Sequence, residues 1–418
     1  MKKKNNKNKN KMKTWEKIFC LLSIIFILSC CIFYGYRLVK YYKVFNPTKS
    51  DNSGLLSVEI PRNSVLVTEG DGLYRLSGSY IYRGEVDNNY IKYSGLLFRI
   101  LKINYGSTIE IILDDSINTL AWGENSNYNS SDINKYLNEY FIKKIDTSYL
   151  EKMNVCVDEK EELNQNNECE DSISVYSKIL DSNTFLNTIV NSTYLAKDGQ
   201  LMWLSDNLKT GDFKNIIANN TQITYVSNNE SYDIKPIISL KYDTKLISGK
   251  GTKDDPYIID KNDSELGKTI TLDSYEWKVI DEENGILTLC LNNVLNSLKP
   301  YGTDFNPEDK KSIAYYLNNE FYESLSFKDD IIESSWEIGN YTNNYKNIEN
   351  KTIQAKVGLL SIKDFKLADT EQQFYLLNKD DNNKSYTMDH YMYKAESYLS
   401  KGIKPVIKIK ASKLEKVN

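Results

Sequence analysis

The 418-residue chain contains a single histidine, His390. One imidazole cannot build a Ser-His-Asp triad, a histidine metal cluster or a two-histidine zinc helix. Seven prolines and 19 glycines exclude proline-rich and collagen-like classes. Long apolar runs are absent except for one, Ile18–Tyr36. Cysteines number six, and three of them, Cys20, Cys30 and Cys31, lie inside that run. No glycine-rich phosphate loop is present: Gly249-x-Gly251 lacks the strand-to-helix setting such a loop needs and reads as a linker.

The charge is unevenly spread. The net charge is −4, yet residues 1–49 carry twelve Lys or Arg against one acidic residue, Glu16. The remaining 369 residues hold 41 basic and 56 acidic side chains, a net of −15. An acidic body of this kind repels phosphate and excludes nucleic acid as a partner.

The uncharged run IFCLLSIIFILSCCIFYGY would span about 28 Å as a helix, close to the ~30 Å hydrocarbon core of a bilayer. Eight lysines precede it within residues 2–17. The positive-inside rule therefore places residues 1–17 in the cytoplasm as a basic tail and assigns 18–39 as a transmembrane anchor. Trp15, Tyr34, Tyr36, Tyr41 and Tyr42 suit the two interfaces. The run is longer than a signal-peptide core, lacks an A-x-A cleavage site, and continues past Cys30, where a lipoprotein signal would end. Localisation follows: a single-pass membrane protein, N-terminus inside and body outside. Residues 40–69, with Pro47 and many Asn and Ser, read as a spacer.

The body repeats itself. Leu97–Leu101 matches Glu276–Ile280, 179 residues on, and each is followed by a glycine (Gly106, Gly285) and a second apolar run. These are hairpins. Ile133–Asn138 matches Ile313–Asn318. Ile133, Tyr136, Leu137, Tyr140 and Phe141 make one helical face, with Ser130 or Ser131 as N-cap. The second helix is expected to enter through Asn306 and Pro307. Ile179–Ser182 pairs with Leu359–Ile362, and Ile234–Leu240 with Ile403–Ile409. The prolines within these closing strands place them at an edge or at a strand's start. Matched blocks in one order predict two tandem homologous units, 70–250 and 251–412, joined by the Gly-, Asp- and Pro-rich loop Ser248–Tyr257. Strands and helices without strict alternation give an α+β class.

These blocks resemble a poorly characterised family of repeat-containing surface proteins of low-GC Gram-positive bacteria. The resemblance rests on Leu97–Ile103, Leu137-Asn138, Val357–Phe365, Lys235–Ile238 and Ser248–Tyr257, and covers most of 70–410. It implies surface exposure and no particular activity. Some such relatives have been considered similar to C-type-lectin-like modules, which are α+β. The family's aromatic segment before the closing strand is kept as Met202-Trp203-Leu204-Ser205, with Asp206 where the pattern has a basic residue or proline. In the second unit only Phe374–Leu377 stands there.

Cys156 and Cys169 flank a twelve-residue acidic loop, and outside the cell such a pair reads as a disulfide. The family's habit of a cysteine pair at this place implies the same. Cys290 sits in ILTLCL as a small buried hydrophobe. Trp203, Trp122 and Tyr128 are candidates for a ligand-stacking surface, against the plainer reading of core aromatics. The carboxylate pairs Asp114-Asp115, Asp254-Asp255, Asp329-Asp330 and Asp380-Asp381 raise glycan hydrolysis. Adjacent residues on a strand face opposite ways, however, and an acidic body has such pairs by composition. No calcium-loop pattern stands out among the Asp- and Asn-rich segments. No catalytic residue, cofactor or metal is assigned, and His390 is set aside. The sequence thus predicts a non-catalytic binding or adhesion protein facing cell-wall polymer, glycan or another surface protein, with a carboxylate-dependent envelope-glycan hydrolase as the alternative. Intact-mass analysis of membrane-extracted protein is expected to find the lysine-rich head attached; a mature chain starting at Cys30 overturns the anchor.

Overall fold

The computed structural model describes residues 54–414 except 77, 105–107, 162–168, 198, 210–213, 260–263, 342–347 and 368–371, together with 15, 22–23 and 26–37 of the N-terminal segment. Most of the basic tail and residues 38–53 lie outside the described residues. Within the expected anchor, 22–23 and 26–37 are helical, with Phe26, Ile27, Leu28, Ile32 and Phe33 exposed. Among the described residues no helix is long and apolar enough to cross a membrane.

The body is α+β and strand-rich. The expected hairpins form. β1 (Leu96–Ile103) pairs antiparallel with β2 (Ile109–Leu113). Then come β3 (Asn118–Ala121), β4 (Ser177–Lys178), β5 (Leu201–Asn207), β6 (Ser231–Ile234) and the closing strand β7 (Ile237–Leu240). The second half has β8 (Tyr275–Glu283), β9 (Ile286–Leu291), β10 (Lys299–Pro300), β11 (Val357–Leu359), β12 (Phe374–Lys379), β13 (Ser400–Lys401) and the closing strand β14 (Pro405–Lys410).

One half runs β1-β2-β7-β4 and the other β8-β9-β14-β11, with every neighbour antiparallel. Both hairpins carry a bulge at the matched place, between Ile100 and Lys102 and between Val279 and Asp281. Each closing strand lies inside its sheet, and its proline sits just before or at its first residue. There the missing N–H is tolerated.

The helical segments also match. Asp132–Lys135 is capped by Ser131, whose Oγ accepts from Asn134 N at 3.1 Å, and continues as π-turns over Tyr136–Tyr140. Of the predicted face, Ile133, Tyr136, Leu137 and Phe141 are buried and Tyr140 is half-buried against the core. Ile313–Tyr315 likewise runs into π-turns over Tyr316–Phe321. Its cap is Ser312, not the expected entry at Asn306-Pro307, which precedes it by a loop in which Asn306 N donates to Ser312 Oγ.

The Leu-Asn pairs explain themselves here. Asn138 Nδ2 donates to Ser177 O at 2.8 Å, and its Oδ1 accepts from Tyr176 N and Ser177 N. Asn318 does the same to Val357 O, Lys356 N and Val357 N, each at 2.9 Å. Each amide completes the backbone of the short strand β4 or β11 beside the helix.

Two boundaries differ from expectation. Residues 56–63 of the expected spacer form a helix, α1 (Leu56–Asn63), with Leu56, Val58 and Ile60 buried and Leu56 N bonded to Thr244 O at 2.9 Å. Eight residues with an internal Pro61 are too short for periodicity to reveal. The expected joining loop also contains a strand, Tyr257–Ile258, parallel to Tyr90–Tyr93 of the first half's sheet. Gly251 turns there at φ +83, and a Cβ would strike Asn88 O and the buried Tyr257 ring.

Asn138→Ala and Asn318→Ala each strand two backbone N–H groups. Each is expected to lower unfolding free energy by about 2 kcal/mol or more in urea titrations. Wild-type midpoints in both variants contradict the clamp.

Candidate functional site

The second half docks on the first through the loop after β11. Asn118 Nδ2 donates to Ile362 O at 3.0 Å and Tyr136 OH to Lys363 O at 3.1 Å. Lys366 N donates to Ile117 O at 2.8 Å. Phe365 packs on Tyr140 and Phe141, and Lys144 pairs with Asp281 at 2.6 Å. Asp364 sits in this seam, and burial raises its carboxyl above the ordinary carboxylate range despite the Ser361 N–H bond.

Beside the seam lies a cavity of about 500 Å³. Its walls come from both halves: Asp115, Lys197, Gln200 and Asp233 from the first, Lys366, His390 and Tyr391 from the second. Asp233 belongs to β6, opposite Thr119 of β3. Its Oδ1 accepts from Thr119 Oγ1 at 2.7 Å and its Oδ2 from Gln200 Nε2 at 2.9 Å. Asp115 pairs with Lys197 at the rim. Lys366 Nζ donates to His390 O at 3.2 Å, and Tyr391 OH donates to Gly199 O at 3.1 Å, bridging the halves.

A buried polar cluster lies behind Asp115. Asp114 turns inward to Arg99 at 3.3 Å, Arg99 Nε donates to Asn89 Oδ1 at 2.6 Å, and the guanidinium stacks over Tyr90 at 3.8 Å and Tyr194 at 4.8 Å. Lys235 is buried, its Nζ donating to Leu195 O at 2.8 Å. Burial pushes this ammonium down to about 8, although Asp114 and Asp115 oppose the shift.

The candidate aromatics lie elsewhere. Trp122, Trp203 and Tyr128 are at most 1% exposed, so they form core and not a stacking surface. Trp122 lies 5.3 Å from Trp203 and 5.9 Å from Tyr128, and Trp203 Nε1 donates to Leu120 O at 2.8 Å. Trp203 also meets Tyr232, the neighbour of Asp233, edge-on at 4.9 Å. The aromatics thus back the sheet that presents Asp233. The second half packs Tyr301 on Tyr375 at 5.4 Å in the corresponding place, so the aromatic pair persists there as packing.

The carboxylate pairs do not converge. Asp114 and Asp115 diverge to Arg99 and Lys197. Asp254 and Asp255 are exposed, Asp330 meets Lys413, and Asp380 accepts from Asn382 N and Lys384 N within its own turn. Cys156 and Cys169 form the expected disulfide, with Cα atoms 5.7 Å apart. Asp158 accepts from Glu170 N and Asp171 N across the bridge. Among the described residues these two cysteines and Asp158 make the one close group of metal-ligand types, and its sulfurs are bonded to each other. Cys290 is buried as expected.

Asp233, Gln200 and Lys366 were not singled out in the sequence. The one available signal was Asp233 standing beside the matched Ile-Lys-Pro block, where the second half has Gly402. The backbone agrees: Asp233 bridges Met202 as Gly402 bridges Phe374, both parallel. A Cβ at Gly402 would strike Val294 Cγ1 at 2.4 Å and Gln373 O at 2.9 Å, so that place is filled.

No family model, curated protein or solved structure matches the chain.

The Lys235 shift carries a pH dependence. Its folded value, about 8, lies below the ordinary 10.5, so between these the unfolded chain holds more protons and folding stability from this group rises with pH. Lys235→Met is expected to abolish that rise. Urea midpoints measured from pH 7.5 to 9.5 check it; parallel profiles for the two chains contradict it.

Proposed function

We propose that this chain is a single-pass surface protein with a cytoplasmic basic tail, an anchor at 18–39 and two homologous α+β units outside the cell. On this reading it is a non-catalytic binding module, and its ligand seat is the cleft holding Asp233. Wall polymer, glycan or another surface protein is the partner. The charge asymmetry, the uncharged run and the resemblance to Gram-positive surface proteins support the topology. Shared strand order, shared bulge and shared asparagine clamp support origin by duplication.

The observation that carries the binding reading is an asymmetry. The first half lines the cleft with Asp233, held from behind by buried Thr119, whereas the matched second-half positions are Gly402 and Leu298. Duplicated units free to diverge keep a carboxylate on an inner strand where it has a use. About 500 Å³ lies in the range of small-ligand pockets.

A second reading is a carboxylate-dependent hydrolase of envelope glycans, favoured by Asp115 and Asp233 lining one cleft. Hydrolysis predicts new reducing ends from cell walls, lost in Asp115→Asn; binding alone predicts none.

Trypsin applied to intact cells is expected to remove epitopes from both units while sparing the lysine-rich head. Full-length protein in detergent micelles is expected to cosediment with isolated Gram-positive cell walls. Lys197→Trp, which places a ring at the cleft rim, is expected to reduce that severalfold. Equal retention of both chains, or of neither, contradicts the cleft as the seat.

A further inference from the structure

One carboxylate of the cleft makes no ion pair among the described residues, although Lys366, whose Nζ donates to His390 O, lines the same cavity. Asp115 is matched by Lys197, whereas Asp233 is 9% exposed and its two oxygens take hydrogen bonds from a hydroxyl and an amide, both neutral. Among the described residues it has no cationic partner. A carboxylate withdrawn this far from water is stabilised by a positive charge beside it. Gln200, which orients Asp233 through its Nε2, leaves its own buried Oε1 without a hydrogen-bond partner. Both residues line the cleft, and the amide carbonyl is an acceptor with no donor beside a carboxylate whose spare lone pairs can take another.

Tyr391 lines the same cleft from the other half, and its hydroxyl is raised by burial and then by the Asp233 charge. An aromatic ring beside an anion is favourable ground for a cation. The floor is firm, since Tyr232, next to Asp233, packs on buried Trp203 at 4.9 Å. The lone buried anion, the idle amide oxygen and the aromatic neighbour ask for one chemical group with several N–H donors and a positive charge.

We propose that the cleft binds a primary ammonium group, donating to the Asp233 carboxylate and Gln200 Oε1, carried on a small hydroxyl- or amide-bearing body. This rests on the cleft being a ligand seat and names its ligand class. The ammonium replaces its shell of water by Asp233, Gln200 and the Tyr391 wall; no bond is made or broken. Such a group can come from an amino sugar or from the amino terminus of a short peptide. The second half takes no equivalent ligand, because Gly402 supplies no carboxylate and Val294 occupies the space.

The test is calorimetric titration of the full-length chain in micelles with glucosamine and with alanyl-alanine amide, each against its N-acetylated counterpart. At least one free amine is expected to bind, and its acetylated form at least tenfold more weakly. The amine that binds identifies the source. Asp233→Asn is expected to weaken binding by tenfold or more, and Gln200→Ala by several-fold. Should Asp233→Asn fail to fold, the amine-against-amide comparison on the wild-type chain decides. Equal binding of free and acetylated probes, or binding of none, overturns the proposal. If walls are still retained through the cleft in that case, the seat stands and its ligand class is wrong. If Lys197→Trp leaves wall retention unchanged as well, the seat itself is wrong.

Discussion

A buried strand needs partners for its backbone, and two asparagines meet that need in this protein. β4 and β11 are two and three residues long. Each pairs with a closing strand on one side and faces a helix on the other. A helix surface offers no ladder, so the edge would be left with unsatisfied N–H and C=O groups inside the protein. Asn138 and Asn318 supply an acceptor and a donor from one amide, which is the pattern a backbone edge requires. Both rise from helices with π-turns at the same place. In the second half the clamped strand β11 leads directly into the loop that docks on the first half.

The halves then meet by way of that loop. Carbonyls of Ile362 and Lys363 are taken by Asn118 and Tyr136, and Phe365 fills the gap between Tyr140 and Phe141. This contact carries Lys366 to the rim of the cleft, while the turn at His390-Tyr391, between the antiparallel strands Ser385–Met388 and Met392–Ala395, closes over it from the other side. The seam is polar where backbone must be satisfied and apolar where side chains interlock. The cleft follows from it, since its lining comes from both halves.

Much of the architecture was legible because it is written locally. The hairpins show as paired apolar runs around a glycine, the helix at Ile133 as a spacing of three and four, and the cysteine pair as a short closed loop. The Leu-Asn signature was visible as a repeated string, although its purpose was not. A string does not say that Asn138 reaches Ser177, 39 residues on. The aromatics illustrate the opposite error. Trp122 and Trp203 look alike in sequence whether they pave a surface or fill a core, and only burial separates the two. Residues 56–63 and 257–258 escaped notice because each is short and is stabilised by what it packs on.

By itself the sequence determined the uncharged run behind its lysines, the acidic body, the α+β class and the matched blocks, because charge, hydropathy and period are properties of neighbours along the chain. Tertiary structure alone decided which polar residues share a cavity. Asp115, Gln200, Asp233, Lys366 and Tyr391 span 277 positions, and none carries a local pattern that distinguishes it from a solvated surface residue. They line one cleft because strand pairing brings β6 beside β3 and because one half's loop is held on the other's edge. Those are long-range contacts, and they are settled by packing and not by sequence proximity.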